Sequence, residues 1–106
     1  MPGIADAHDL MPPELAATMP KQYACEKDKD PIVHVKYFTP DGSWTWFLYE
    51  YDPEGRIAFG LVVGLETELG YVSLEELEFV RGPLGLKIER DLHWQPKPLS
   101  ACRPKS

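Results

Sequence analysis

From Ile32 to Ser73 the chain alternates its side chains at a spacing of two, and proline and glycine corners cut the run into short pieces. Successive side chains of a strand point to opposite faces, whereas a helix needs apolar positions every three or four residues, so this rhythm commits the middle of the chain to strands. Ile32 to Phe38 is rich in β-branched and aromatic residues. It stops at Thr39-Pro40-Asp41-Gly42, where proline presets one turn residue and glycine tolerates positive φ. In Ser43 to Tyr51, Trp44, Trp46, Leu48 and Glu50 fall on one face and Thr45, Phe47, Tyr49 and Tyr51 on the other. Both faces carry large apolar surface, and both need cover.

Asp52-Pro53-Glu54-Gly55 is too short for a crossover and predicts an antiparallel hairpin. Arg56 to Glu66 then puts Ile57, Phe59, Leu61, Val63 and Leu65 on one face and Ala58, Gly60, Val62 and Gly64 on the other. The small face has two readings: a helix lying close against Gly60 and Gly64, or a bulge or bend at one of those glycines. Thr67 to Gly70 is a further turn candidate, with Tyr71-Val72 in a short fourth strand.

The flanks are patterned differently. Met1 to Leu10 reads as a mobile lead-in, and Pro12 to Met19 as a short helix with Leu15 and Met19 buried and Pro20 closing it. Lys21 to Asp30 mixes both charge signs and reads as a surface loop. Ser73-Leu74-Glu75-Glu76 has the form of a capping box, opening a helix to about Val80. Leu74, Leu77 and Val80 would face the sheet and Glu75, Glu76 and Glu78 the solvent, with Gly82-Pro83 supplying a left-handed cap and a stop. Leu84 to Trp94 fits a last half-buried strand, with Leu86, Ile88, Arg90 and Leu92 inward, better than it fits a helical turn. Gln95 to Ser106, with three prolines, reads as an extended or disordered tail. The expected fold is α+β: an antiparallel β-meander of three to five strands with two short helices, the Leu74 helix packed on the sheet and the Pro12 helix at an edge.

With 106 residues and 43% hydrophobic content the chain suffices for a single domain, with an ordered core over about residues 10–95 and flexible ends at 1–9 and 96–106. No apolar run approaches the roughly 18 residues that span a bilayer, and the first residues lack the basic start and apolar core of a signal peptide. A cytoplasmic protein without membrane contact is expected. Cys25 and Cys102 are far apart in sequence and read as free thiols in a reducing compartment. Net charge is −6, distributed as −3 over residues 1–49, −7 over 50–80 and +4 over 81–106. An acidic body disfavours direct binding to nucleic-acid phosphates and suits a partner protein with a basic surface.

Three constellations carry possible chemistry. Glu50, Asp52, Glu66 and Glu68, with His34 or His93, would suit a metal-dependent hydrolase or nuclease if they converged; solvated turn acids are the plainer reading. Trp44 and Trp46, with Tyr49 and Tyr51, would suit a stacking platform for single-stranded nucleic acid; core packing is the plainer reading, and an exposed tryptophan would instead anchor a protein interface. Arg81-Gly82-Pro83-Leu84-Gly85-Leu86 lacks the lysine and the strand-to-helix setting of a phosphate loop and reads as a helix stop and tight loop. There is no nucleophile elbow or HExxH run, and the pattern requires no cofactor.

Trp44-Thr45-Trp46, Phe59-Gly60-Leu61-Val62, Glu66-Thr67-Glu68-Leu69-Gly70-Tyr71 and the Arg81 to Leu86 run are the most distinctive stretches. Through them, from about Leu10 to Ser100, the chain resembles an uncharacterised family of small proteins, classed as a domain of unknown function, that recurs on bacterial plasmids and integrative elements. The resemblance implies neighbours with conjugation, antirestriction and anti-CRISPR functions, and it brings no catalytic residues. Together with the charge split it leads to an expected function: a noncatalytic, acidic binding protein of a mobile element, acting on host defence or nucleic-acid-handling machinery. Its expected binding residues are Glu50, Asp52, Glu54, Glu66, Glu68, Glu75, Glu76, Glu78, Trp44 and Trp46, engaging a host- or element-encoded protein with a basic surface.

Overall fold

In the computed structural model, residues 6–103 are described, so the first five residues of the expected mobile lead-in and the last three of the expected tail lie outside it. The alternating stretch forms β1 (Ile32–Val33), β2 (Val35–Phe38), β3 (Thr45–Asp52), β4 (Ile57–Val63) and β5 (Thr67–Ser73), and a later pair, Glu89–Arg90, forms β6. Five of these make one antiparallel sheet in the order β5-β4-β3-β2-β6, which is the expected meander with β6 added beside β2. Two helices, α1 (Pro13–Thr18) and α2 (Leu74–Phe79), complete an α+β fold. The last turn of the meander is tighter than the sequence suggests. It closes at Gly64 to Glu66, whose N–H and C=O bond to each other at 2.9 Å, so Thr67 to Gly70 belongs to β5 rather than to a turn.

The two faces of the sheet are buried by different means. On the first, Val35, Tyr37, Trp46, Leu48, Tyr51 and Ala58 pack with Leu74 and Leu77 of α2, with Leu10 and Met19 around α1, and with Ile88. Removing such aliphatic and aromatic surface from water is the main favourable term in folding. Ser73 caps α2 by accepting the Glu76 N–H at 3.3 Å, as its sequence predicts. The far end departs from expectation: Val80 is extended and exposed rather than buried, and Gly82 is not the left-handed residue. That conformation belongs to Gly85, with φ of +86°.

On the second face, Val33, Tyr49, Leu61 and Leu99 form a separate cluster, joined by half-buried Cys25, Phe47, Phe59, Val63, Trp94 and Cys102. Its cover comes from segments without helical pattern. The stretch expected to trail off as a tail instead contributes β7 (Lys97–Pro98), paired with β1, and a 3-10 turn over Leu99–Ala101. Leu99 is buried; its N–H donates to the Pro31 carbonyl, while Asp30 accepts from both the N–H and the hydroxyl of Ser100 at 2.8 and 2.7 Å. Trp94 donates its indole N–H to the Val33 carbonyl, and Lys97 lies over its ring. The single sequence strand from Ile32 to Phe38 is thereby divided at His34, one half pairing with β7 and the other with β6.

A bulge in β3 decides which side chains serve which face. Register shifts between Leu48 and Glu50, so that Tyr49 and Glu50 together oppose Phe59. Beyond it the alternation inverts: Tyr51 joins Trp46 and Leu48 on the first face, and Glu50 turns to the second, the reverse of the expected assignment. Gly60 sits opposite this irregularity, and a Cβ there would run into the Phe47 carbonyl and the Leu48 Cα. What lies close against Gly60 is the neighbouring strand, not a helix.

Candidate functional site

The Thr39 to Ser43 turn is fixed by its own hydrogen bonds: the Gly42 N–H donates to the Thr39 carbonyl and the Trp44 N–H to Thr39 Oγ1. Asp41 projects from this turn into the Arg81 to Leu86 loop, where its Oδ2 accepts from the N–H groups of Leu84 and Leu86 at 2.7 and 3.2 Å. Its Oδ1 is buried and has no hydrogen-bond partner among the described residues. Any side chain at Gly82 would occupy the space of that carboxylate. The loop is closed by Gly85 N–H to Gly82 C=O and by Gly82 N–H to Leu86 C=O, the tight connector its sequence suggests.

Docking these two turns creates a cleft of about 610 Å³ lined by Trp44, Trp46, Val80, Arg81 and Pro83 among others. Trp44 and Trp46 stack with ring centres 6.0 Å apart. They are not equivalent. Trp46 is 6% exposed and belongs to the first-face core, whereas Trp44 is 40% exposed and rests on Gly64, where no Cβ would fit beneath the indole. The Arg81 guanidinium donates to the Glu78 and Val80 carbonyls, tying the end of α2 to the rim of the cleft.

The eight candidate acids do not share one site. Glu50 is 4% exposed, and its two carboxylate oxygens accept the Tyr23 and Cys25 N–H groups at 2.9 and 2.8 Å. It is a structural clamp on the Lys21 to Asp30 loop. Asp52 accepts the Glu54 N–H in the β3–β4 turn. Glu66 and Glu68 stand at the start of β5 and Glu75, Glu76 and Glu78 just after its end, about 20 Å apart at roughly 3.3 Å per residue. Glu78 pairs with Arg56 through two bonds of 3.0 and 3.2 Å. Glu75, Glu76 and Glu78 remain exposed on the outer side of α2, as expected.

His34 is half-buried between strands, and burial holds its imidazole below the ordinary value; His93 is exposed beyond β6. Neither approaches a cluster of acids: among the described residues no three histidine, cysteine or carboxylate groups are placed to hold a metal ion. Cys25 and Cys102 are free thiols, each pushed up by burial against the second face. No helix among the described residues is long and apolar enough to cross a membrane.

A protein-family model matches residues 10–102, nearly the whole of this arrangement. The chain belongs to DUF2958, a family of proteins of unknown function. No match was found among curated proteins or among solved structures. For this DUF2958 protein, the features that sequence reasoning missed are the Asp41 bridge and the place of Val80 and Arg81 in the cleft wall. The only signal for the first is a carboxylate inside a Pro-Asp-Gly turn, which reads equally well as turn chemistry alone.

Proposed function

We propose that this chain is a noncatalytic binding protein that engages a partner protein with a basic surface. The observation that carries the reading is the continuity of one exposed segment: Glu75, Glu76 and Glu78 stand on the outside of α2, Phe79 follows at 81% exposure, and Val80 and Arg81 run into the Trp44 cleft. Protein interfaces combine aromatic anchors with a polar rim in this way. Trp44 and Phe79 are the proposed anchors, and the α2 carboxylates, extended by Asp52 and Glu54, are the rim that selects a basic partner.

Two alternatives have less support. A metal-dependent hydrolase needs its acids and histidines together, and Glu50, the Glu66–Glu68 pair and His93 lie in separate places. A single-strand stacking platform needs successive open rings in a basic groove, and Trp46 is buried. The setting implied by the resemblance, a mobile genetic element in a bacterial cytoplasm, is part of the proposal. It makes host defence or nucleic-acid-handling proteins, which carry basic surfaces for phosphate, the natural partners.

Recovery of a partner from host lysate on the immobilised chain tests this. Recovery should fall as salt rises from about 0.1 to 1 M, over which the Debye length shrinks from about 10 to 3 Å. It should also fall in Trp44→Ala and in the triple substitution E75K, E76K, E78K. A partner retained equally by all three proteins at high salt contradicts the reading, and calorimetric uptake of Mg, Mn or Zn at millimolar metal favours the hydrolase.

A further inference from the structure

β5 is an outer strand, and the hydrogen-bond phase of its ladder shows which of its groups are left over. Leu74 N–H bonds to the Arg56 carbonyl, and Gly64 N–H to the Glu66 carbonyl. Antiparallel ladders alternate bonded and non-bonded positions, so the bonded positions of β5 are Glu68, Gly70 and Val72. The N–H and C=O groups of Thr67, Leu69 and Tyr71 and the N–H of Ser73 therefore point away from β4, and among the described residues they have no backbone partner, whereas the Ser73 carbonyl accepts the first intrahelical bond of α2. The strand is seven residues long and in unbroken register, with no proline, lysine or bulge of the kind that blunts an edge.

The side chains beside this edge describe an occupant. Leu69 and Tyr71 are 46% and 53% exposed, and they border a cavity of about 360 Å³ whose lining also includes Tyr23, Phe59, Glu26 and Asp28. Phe59 and Tyr71 meet edge to face at 4.7 Å, giving it a rigid aromatic floor. Its charged lining is wholly acidic: Lys27 and Lys29 flank Glu26 and Asp28 in sequence, but neither lines it. Glu66 and Glu68 add negative charge where the strand begins. A second copy of the chain would bring two bodies of net charge −6 together here.

We infer that β5 accepts an extended strand of a partner protein along its open edge, with the lysine or arginine side chains of that strand facing Glu26 and Asp28. This stands on different residues from the α2 surface and the Trp44 cleft, and either could fail alone. The added strand would bond to Leu69 and Tyr71 through its backbone and place alternate side chains against the cavity.

Amide hydrogen exchange read by NMR on the full chain tests it, using a capped peptide of about eight residues alternating lysine and valine as the probe and its glutamate–valine counterpart as control. The lysine peptide should slow exchange roughly tenfold at Thr67, Leu69, Tyr71 and Ser73, leaving the already bonded Glu68, Gly70 and Val72 unchanged. Leu69→Lys should abolish the effect while the Gly60 and Gly70 amides, protected as before, report an intact sheet. Three results overturn the inference: no protection at those four amides, equal protection by the glutamate peptide, or protection that rises with protein concentration alone, which would make a second copy the occupant.

Discussion

The two faces of the central sheet bury comparable side chains under unlike cover. The first is closed by α2 and α1, whose apolar residues recur at helical spacing; the second is closed by the Lys21 to Asp30 loop and the residues after Trp94, which have no periodicity. On the first face the short helices satisfy part of their own backbone, and a few bonds at their ends, the Ser73 cap, Leu74 N–H to the Arg56 carbonyl and Tyr51 N–H to the Pro20 carbonyl, complete the cover. On the second face each covering segment must be tied down by named bonds: Glu50 to Tyr23 and Cys25, Asp30 to Ser100, and the Trp94 indole to Val33. The faces should therefore be equal in core energetics and unequal in how they come apart.

The largest expected effects compare the cores. Leu48 and Leu61 are both fully buried, one on each face, and replacement of either by alanine should cost about 3 kcal/mol by chemical denaturation. A much smaller cost for Leu61→Ala would mean that the second face is only loosely covered. Next comes Glu50→Ala. Two charge-assisted bonds to backbone N–H groups are lost, so a cost of about 2–3 kcal/mol is expected, with exchange rising first across Tyr23 to Asp28. The corresponding polar contact on the first face is the Tyr37 hydroxyl, which donates to the Leu10 carbonyl at 2.6 Å; Tyr37→Phe should cost about 1 kcal/mol and loosen only the approach to α1.

Acid should separate the faces without mutation. The hydrogen bonds from Ser100 hold the Asp30 carboxyl below its usual value. A group whose pKa is lowered on folding stabilises the fold above its unfolded value of about 3.9, and that contribution disappears as pH falls through the folded value. Exchange protection at Leu99 and Ser100 should therefore fade below about pH 4, and Asp30→Asn should weaken it already at neutral pH. The smallest effect belongs to the Arg56–Glu78 pair, more than a third exposed on each side, where Glu78→Ala should change stability by less than about 0.5 kcal/mol.

Much of the fold is legible in the sequence for the same reason that the first face is simple. Period two from Trp44 to Val63, the Pro-Asp-Gly and Pro-Glu-Gly corners and the Ser73 capping box are local signals, and each acts within a few residues of where it is written. What escapes is set at long range. One extra residue at Tyr49–Glu50 exchanges the faces of Glu50 and Tyr51, and nothing in the strand itself marks it. Leu99 looks like a lone apolar residue among prolines until Asp30, about 70 positions earlier, fixes Ser100 beside it. The α2 carboxylates are identifiable as a solvent face, but their neighbourhood with Trp44 depends on the Asp41 bridge between two loops.

Among the acids, the contrast between the faces becomes a contrast of roles: Glu50 is a clamp within the fold, and Glu75, Glu76 and Glu78 are the proposed binding surface. The most direct measurement is partner recovery, normalised to the folded fraction, for Glu50→Gln beside E75K, E76K, E78K. Glu50→Gln should lower the unfolding midpoint and leave recovery per folded chain intact, whereas the triple substitution, which also lowers the midpoint by placing lysines in the first turn of α2 and opposite Arg56, should lose recovery per folded chain. The reverse pattern, recovery lost with Glu50→Gln in a folded chain and kept in the triple substitution, would contradict the assignment.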